Sequence, residues 1–430
     1  IRSDSDMTTM GFRFKPWTGK KLVAGGDAIL SYLNEVVDEN GFRDKIQYNS
    51  HVTNATWKSS DSKWKITYQN KIDGSEGIIT CNLIYFCVGY YDYENGHEPD
   101  FNGKETFKGS IVHPQHWPDD LDYKDKNVIV IGSGATAVTL IPSMANETKH
   151  ITMLQRSPTY YMVRPNIDPL GAFFRKFMGK TVSYFVMRWK NIQLQSWFFK
   201  RARKNPSQIK QFLIGVVKEK LNPSFDIEKH FTPSYNPWEQ RLCLVPDGDL
   251  FDAINEGKAS VVTDHIDQFT EDSVVLKSGN ELPADIIITA TGLKLKICSD
   301  IIITVDDEVI DLSQSLTYKG MMVSNVPNVV WTFGYTNASW TLRADLTAEY
   351  TCKILNYMDM NNYRVATPVP NGPVNSDGAW LDFNSGYVTR SLDILPIQGD
   401  RDPWRNTQNY TKDVIDLRYG KVSDDELEFS

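Results

Sequence analysis

The fold of this chain is decided by the stretch from Lys126 to Arg156. It runs Asn127-Val-Ile-Val-Ile131, Gly132-Ser133-Gly134-Ala135-Thr136-Ala137, an apolar segment of helical period, and Ile151-Thr-Met-Leu154. The order predicts a strand, a glycine turn, a helix and a second strand. The first glycine allows the tight turn, the second lets backbone N–H groups approach a pyrophosphate, and the small third residue lets the helix pack closely. The six residues 132–137 are therefore predicted to bind a dinucleotide, the alternative being an ordinary glycine turn of an α/β protein.

The end of the second strand indicates which nucleotide binds. An NAD site would place an Asp or Glu there to hold the ribose 2'-hydroxyl. This chain has Gln155, Arg156 and Ser157 instead, and a guanidinium pairs well with a 2'-phosphate. Gln155 and Arg156 are therefore predicted to bind NADP(H).

The bulk composition excludes several classes of protein. The 430 residues are too many for one core, and 41% hydrophobic with 23% charged residues is typical of a soluble globular protein. A net charge of −8 argues against a nucleic-acid binder. We find no apolar run of membrane-spanning length and no signal peptide. The five scattered cysteines, without a C-x-x-C pair, predict reduced thiols in a cytoplasm-like compartment and exclude the dithiol flavoprotein reductases.

The remaining segments predict an α/β fold with two dinucleotide-binding, Rossmann-like domains and a helical insertion. Buried strands that end at Gly89 and at Gly292 indicate two related domains. Residues 168–240 form the basic, aromatic insertion, with Phe173, Phe174, Phe177, Tyr184, Phe185, Trp189 and Trp197. We expect these aromatics to pack against the main body; a membrane-surface or partner-binding face is the alternative. His113 and His116 lack a third ligand nearby, so no metal is expected.

One further motif resembles a known family. Phe107-x-Gly109-x-x-x-His113-x-x-x-Trp117-Pro118 is similar to the fingerprint of the type I Baeyer-Villiger monooxygenases, and it precedes the glycine turn as in that family. Other segments, among them Gly334-Tyr-Thr-Asn-Ala-Ser-Trp340 and Asn236-Pro-Trp-Glu-Gln-Arg-Leu242, resemble the EthA-like subgroup. The Trp-Pro pair favours this branch over the N-hydroxylating flavin monooxygenases.

The resemblance implies an enzyme that holds FAD and uses NADPH and O2. A flavin peroxide would insert one oxygen atom into a ketone, giving an ester or lactone, or oxygenate the sulfur of a thioether or thioamide. The catalytic arginine of the family falls on Arg241, which would stabilise developing negative charge, and Asp4 matches the acidic residue beside it. Arg2, Ser3, Asp4 and Val52 are expected as further cofactor contacts. The alternative is a non-catalytic NADP-binding remnant.

The resemblance also predicts a domain order. Residues 1–103 would be the first part of the FAD domain, 104–118 the fingerprint linker, 119–167 and 241–292 the NADP domain, 168–240 the insertion, and 293–430 the rest of the FAD domain with a tail. The family begins with its own strand–glycine–helix unit for the flavin. We expect the present chain to start just after that unit.

Overall fold

The computed structural model describes residues 2–240, 242–381 and 383–430. The α-helices are α1 Met7–Met10, α2 Gly26–Glu39, α3 Ala135–Met144, α4 Pro169–Lys204, α5 Pro206–Lys220, α6 Ile227–Phe231, α7 Asp249–Asn255, α8 Trp340–Asn361, α9 Gly386–Thr389 and α10 Tyr410–Asp413, and a π-helical turn covers Val414–Tyr419. Short 3-10 helices cover Arg43–Lys45, Lys104–Thr106, Pro114–His116, Leu312–Gln314 and Leu392–Ile394.

The strands are β1 Ser50–Lys58, β2 Lys63–Asn70, β3 Glu76–Cys81, β4 Ile84–Phe86, β5 Tyr91–Gly96, β6 Ser110–Val112, β7 Asn127–Ile131, β8 His150–Gln155, β9 Tyr160–Arg164, β10 Leu242–Pro246, β11 Ala259–Thr263, β12 Ile266–Phe269, β13 Ser273–Leu276, β14 Glu281–Pro283, β15 Ile286–Ile288, β16 Leu293–Leu295, β17 Ile302–Val305, β18 Glu308–Val309, β19 Thr317–Tyr318, β20 Met322–Val323, β21 Val329–Trp331, β22 Ala366–Pro368 and β23 Leu427–Phe429.

A five-stranded parallel sheet carries the glycine turn. Its order is β11-β8-β7-β15-β6, with Val128 of β7 opposite Ile151 of β8 and Ile286 of β15. Both faces of the sheet are covered, so β7 and β15 read as continuous apolar runs. Ala137 of α3 is fully buried against this core. The edge strand β6 comes from the segment that holds the fingerprint.

A second five-stranded sheet, of order β18-β17-β1-β2-β3, joins residues 50–81 to residues 302–309. Strand β1 pairs with β2 antiparallel and with β17 parallel. The rings of Trp57 and Trp64 lie 5.5 Å apart in the core beneath it. Strands β4 and β21 form a separate parallel pair, and helix α8 packs behind them. This arrangement of a parallel sheet with helices and a second sheet confirms the predicted α/β class.

The helical insertion is attached by one face of α4. The helix is kinked at Gly179 (φ 75°) and buries Tyr184, Arg188 and Asn191. Arg188 donates to the backbone oxygens of Thr8, Thr9 and Gly11 at 3.0, 3.2 and 2.6 Å and pairs with Asp345 at 2.9 Å. This buried guanidinium fixes the helix to the N-terminal segment and to α8.

The expectation that the aromatics of the insertion pack against the main body is wrong for most of them. Tyr184 is buried, but Phe173, Phe177, Phe185, Trp189 and Trp197 are 42–67% exposed. A helix of this kind buries one stripe of its surface, and the polar anchors already occupy that stripe on α4. None of the helices in the described residues has the length and apolar character that a membrane crossing needs.

Candidate functional site

The glycine turn leaves room for an anion at the start of α3. Gly132 has φ 133°, and a Cβ added there would lie 2.3 Å from the carbonyl oxygen of Ala290. Gly134 is the N-cap of α3 and makes no side-chain cap hydrogen bond, and a Cβ on it would meet no atom within 4 Å. The first N–H groups of the helix therefore face open space, which suits a phosphate.

The other residues of the turn have distinct positions. Ser133 donates a hydrogen bond to the backbone oxygen of Ser157 at 3.4 Å, which ties the turn to the end of β8. Ala135 faces a large cavity, and Thr136 is exposed beside it. Ala137 is buried and allows the close approach of helix and sheet.

Gln155 and Arg156 are not brought to the site together. Gln155 is 1% exposed, and its amide donates to the backbone oxygen of His230 and to Oγ1 of Thr263, both at 2.8 Å. The side chain of Gln155 points to α6 and β11, and a cofactor contact through this residue stays a prediction. Successive strand residues face opposite ways, and Arg156 is exposed.

A basic cluster that the sequence did not indicate surrounds Arg156. Burial and then the charge of Arg156 lower the pKa of Arg390. Burial, followed by the charges of Arg390, Lys294 and His113, lowers the pKa of His97. The cations Arg156, Arg390 and Lys294 and the imidazole of His97 thus lie near one another, with Arg390 beside Gly292. Lys294 could have been suspected from its place just after a strand-glycine end, whereas Arg390 carries no local signal.

A cavity of about 680 Å³ opens beside the turn. The N-terminal segment, the start of α3, helices α4 and α5, strands β9 and β10, and the loop from Tyr335 to Trp340 line it. Predicted catalytic residue Asp4 and turn residue Ala135 are both on its wall. Arg241 lies outside the described residues, and the three residues that follow it, Leu242 to Leu244, line the cavity.

A buried carboxylate holds the N-terminal wall of the cavity. Asp6 is 2% exposed and accepts hydrogen bonds from the backbone N–H of Thr9 at 3.1 Å, from Asn191 at 3.2 Å and from Gln195 at 2.9 Å. Oγ1 of Thr9 lies 2.7 Å from Oγ of Ser339. Asp6 thereby connects the segment that carries Asp4 to α4 and to the loop before α8. The sequence patterns had given no reason to single it out.

Hydrogen bonds to Asp413 and Gln408 hold the loop from Tyr335 to Trp340 in place. Burial raises the pKa of Tyr335, and its hydroxyl donates to Asp413 at 2.6 Å. Asp413 is also ion-paired with buried Arg343 at 2.5 Å. Thr336 donates its backbone N–H to Gln408 at 2.8 Å. A loop held this way presents a rigid wall to the cavity.

The remaining predicted cofactor contacts, Arg2, Ser3 and Val52, do not line the cavity. Arg2 forms a two-pronged ion pair with Asp249 at the start of α7, so its guanidinium already has a carboxylate partner. Ser3 accepts from the backbone N–H of Ala24 and donates to Ser5. Val52 lies on β1 of the second sheet and does not line the cavity. The structure brings Asp4 to the glycine turn, and it does not bring Val52 there.

The fingerprint residues build the junction between the two sheets. Phe107 is buried against Phe269, and a Cβ on Gly109 would lie 2.2 Å from the backbone oxygen of Asp285. His113 is 8% exposed; its Nδ1 accepts from Gln115 at 3.2 Å and its Nε2 lies 3.3 Å from the oxygen of Gly292. These contacts give His113 a structural role beside the pair of strands β5 and β16.

Two more fingerprint positions complete the junction. Trp117 packs against the core of the parallel sheet, and Pro118 follows it on the surface side of β6. His116 contacts the backbone oxygen of Glu94 through Nε2 at 2.9 Å. The described residues contain no cluster of His, Cys, Asp and Glu side chains placed to hold a metal ion.

Comparison with known sequences identifies relatives along the whole chain. The profile of the flavin-binding monooxygenase-like family matches residues 24–326. The FAD-containing monooxygenase EthA of Mycobacterium tuberculosis is 46% identical over 431 residues, which cover 100% of this chain and 88% of that protein. The probable FAD-binding monooxygenase AlmA of an Acinetobacter species is 44% identical and is covered to 86%. The resemblance predicted from the motifs is confirmed.

Solved structures share the fold. A steroid monooxygenase bound to NADP aligns with a TM-score of 0.77 at 18% identity, covering 100% of this chain and 90% of that one. Cyclohexanone monooxygenase from Rhodococcus sp. Phi1, bound to NADP+, aligns with a TM-score of 0.73 at 18% identity with the same coverage. At this identity the likeness establishes the architecture of the two sheets.

Proposed function

The chain belongs to the flavin-binding monooxygenase-like family, and we propose that it is an FAD- and NADPH-dependent monooxygenase. It would use O2 to insert one oxygen atom into an apolar ketone, giving an ester or lactone, or to oxygenate the sulfur of a thioether or thioamide. One observation carries the proposal. The 680 Å³ cavity joins Asp4, the start of α3 and the residues next to Arg241 in one space.

NADPH fits the glycine turn of the parallel sheet. A side chain at Gly134 would occupy the open space over the turn, whereas one at Gly132 would meet the backbone oxygen of Ala290. The uncapped α3 terminus supplies N–H donors for the pyrophosphate. Arg156 and Arg390 would share the 2'-phosphate, because two guanidinium groups whose charges repel each other gain a common anion. The parallel sheet with residues 119–167 and 241–292 is then the NADP domain, and residues 1–103 with 293–430 belong to the FAD domain.

The flavin ring of FAD would fit the cavity by size and by the chemistry of its walls. The volume lies within the range of about 300–1,000 Å³ that is usual for small-molecule and cofactor sites. The rigid loop from Tyr335 to Trp340 and the segment from Asp4 to Asp6 would hold the flavin ring between them. When bound, FAD supplies electron transfer from NADPH and activation of O2.

The apolar side of the cavity would bind and orient the substrate. Helices α4 and α5 contribute Leu194, Trp197, Phe198, Phe212 and Leu213 to its lining. These side chains exclude water and have no charge to pair with, so they favour an apolar body that carries one carbonyl or sulfur group.

Arg241 and Asp4 are proposed as the charged pair of the reaction. Fixed positive charge from Arg241 would stabilise negative charge that develops on oxygen, and Asp4 would orient the guanidinium. The position of Asp4 on the cavity wall, with Leu242 on the same wall, supports this assignment.

Nucleotide binding tests the cofactor assignment without turnover. Arg156→Ala and Arg390→Ala should each weaken NADP+ binding roughly tenfold, because each substitution removes one charge-assisted contact. Both should change NAD+ binding little. Lys277→Ala, which removes an exposed cation paired with Asp267, is the control. Equal losses for both nucleotides would contradict the assignment.

Oxygen incorporation tests the reaction. With FAD present, NADPH and ¹⁸O2 should give one labelled oxygen in the product of an aryl ketone or an aryl thioether. Arg241→Ala should abolish the labelled product, while flavin reduction by NADPH, followed by its absorbance, continues. A chain that binds NADP+ but yields no oxygenated product from either substrate class would be the non-catalytic remnant instead.

A further inference from the structure

We propose that the outer face of the helical insertion docks the protein onto the surface of an anionic lipid bilayer. The docking surface consists of apolar residues along α4 and of lysines beside its kink at Gly179 and at its C-terminal end. The apolar set is Leu170, Phe173, Phe177, Val182, Phe185, Trp189 and Trp197, and the basic set is Lys176, Lys180, Lys200 and Lys204.

The apolar residues face solvent on both arms of α4, and together they are called the apolar stripe. The two arms fold back on each other at Gly179, since Ser183 donates to the backbone oxygen of Gly171 at 3.4 Å and Lys190 pairs with Asp168. Before the kink, Leu170, Phe173 and Phe177 are 52%, 56% and 67% exposed. After the kink, Val182, Phe185, Trp189 and Trp197 are 53%, 42%, 67% and 57% exposed. The spacing of three, four and eight residues places these four on one side of a helix.

No part of the described chain (residues 2–240, 242–381 and 383–430) covers the apolar stripe. The opposite side of α4 is already packed through Tyr184, Arg188 and Asn191, which are at most 5% exposed. Single exposed apolar residues are normal on protein surfaces, but a contiguous run with two tryptophans marks an interaction site. Tryptophan is also enriched at the boundary between lipid and water, where its ring is apolar and its N–H is polar.

Charge selects an anionic partner. Residues 169–218 contain eleven Lys and Arg and no Asp or Glu, although the whole chain has a net charge of −8. Lys176, Lys180, Lys200 and Lys204 are exposed, and none of them forms an ion pair with a carboxylate of the described residues. A face with apolar residues between unpaired lysines matches helices that lie in the interface of acidic membranes.

A basic cavity lies beside the apolar stripe. Its volume is about 380 Å³, and Lys20, Lys21, Arg175, Lys176 and Lys180 line it. The carboxylate of Asp168 is also in the lining, but it is already ion-paired with Lys190. Five cations around one space of this size suit the phosphate of a lipid headgroup.

A second copy of the chain fits this surface less well than a bilayer does. Two such faces in contact would bring eight exposed lysines together, and like charges disfavour that arrangement. An anionic bilayer offers both an apolar layer for the aromatic rings and negative charge for the lysines.

The docking surface continues into the 680 Å³ cavity. Leu194, Trp197 and Phe212 are 47%, 57% and 55% exposed, and they also line that cavity. If the proposed oxygenation is correct, an apolar substrate dissolved in the bilayer could enter along this edge. Membrane docking itself rests on the surface alone and does not depend on the reaction.

Vesicle flotation tests the docking with the full chain. The protein should float with vesicles of phosphatidylcholine mixed with phosphatidylglycerol and much less with phosphatidylcholine alone, and added salt should weaken the association. Lys200→Gln with Lys204→Gln should weaken binding roughly 30-fold, because each lysine near an acidic surface contributes about a fivefold factor. Phe185→Ser with Trp189→Ser should reduce binding at least as much.

A matched variant controls for loss of exposed apolar area. Ile72→Ser with Met360→Ser removes side chains that are 78% and 75% exposed on other elements, and it should float like the unmodified chain. Circular dichroism and NADP+ binding should be unchanged in all variants. Equal flotation with both vesicle types, or wild-type flotation of the two docking variants, would overturn the proposal. If light scattering showed a dimer, and Phe185→Ser with Trp189→Ser abolished that dimer, the face would be assigned to a second copy of the chain.

Discussion

Asp6→Ala is expected to loosen the wall of the cavity that carries Asp4. The carboxylate is buried and accepts from Asn191 and Gln195 of α4 and from the backbone N–H of Thr9. Without it, the side-chain amides of Asn191 and Gln195 each lose one hydrogen bond, at about 1 kcal/mol each, although Asn191 keeps its bond to the hydroxyl of Thr8 at 2.9 Å. The lost N-cap of α1 adds about 1 kcal/mol. The opening free energy of this region should therefore fall by about 3 kcal/mol.

Hydrogen exchange measures this change locally, which is preferable to global unfolding in a chain with more than one domain. Amide protons of residues 5–12 and 186–196 should exchange on the order of 100-fold faster in Asp6→Ala, because each 1.4 kcal/mol is a factor of ten. Asp6→Asn keeps one oxygen acceptor, so the acceleration should be smaller.

Asp307→Ala serves as the control, because Asp307 is an exposed carboxylate that is ion-paired with Lys58. It should leave exchange in both segments unchanged. If Asp6→Ala exchanged within threefold of the unmodified chain in these segments, the network would not hold the wall, and its role in placing Asp4 would be refuted.

Two further outcomes follow from the site. Gly132→Ala should weaken NADP+ binding at least tenfold, as measured by calorimetry. The reason is that its Cβ would lie 2.3 Å from the oxygen of Ala290 at a φ of 133°. An unchanged affinity would exclude this turn as the phosphate-binding site. Burial lowers the pKa of His230 in the folded chain below 6.5. Below pH 6.5 the unfolded chain therefore binds more protons than the folded chain, and the free energy of unfolding should fall as the pH drops through 6.5. His230→Gln should flatten the dependence of the melting temperature on pH between 5 and 7. If the melting temperature changed with pH as steeply as before, the dependence would come from other groups.

The sequence predicted the parallel sheet and the turn because those features are local. Apolar runs that are buried on both faces, and a glycine position that no other residue can occupy, leave a signal within thirty residues of chain. Phe107, Gly109 and His113 were found for the same reason, since their spacing is fixed by a short segment that joins two sheets.

The tertiary structure decided which side chains meet. Gln155 and Arg156 are neighbours in sequence, but the alternation of a strand turns one into the core and the other to the site. Arg390 and Asp6 reach the site from distant parts of the chain, and no local pattern records such contacts. Likewise, composition alone could not tell whether the aromatics of α4 were buried, because a helix has two faces and only packing chooses between them. Here polar anchors such as Arg188 and Asn191 took the inner face, and the aromatic rings were left to solvent.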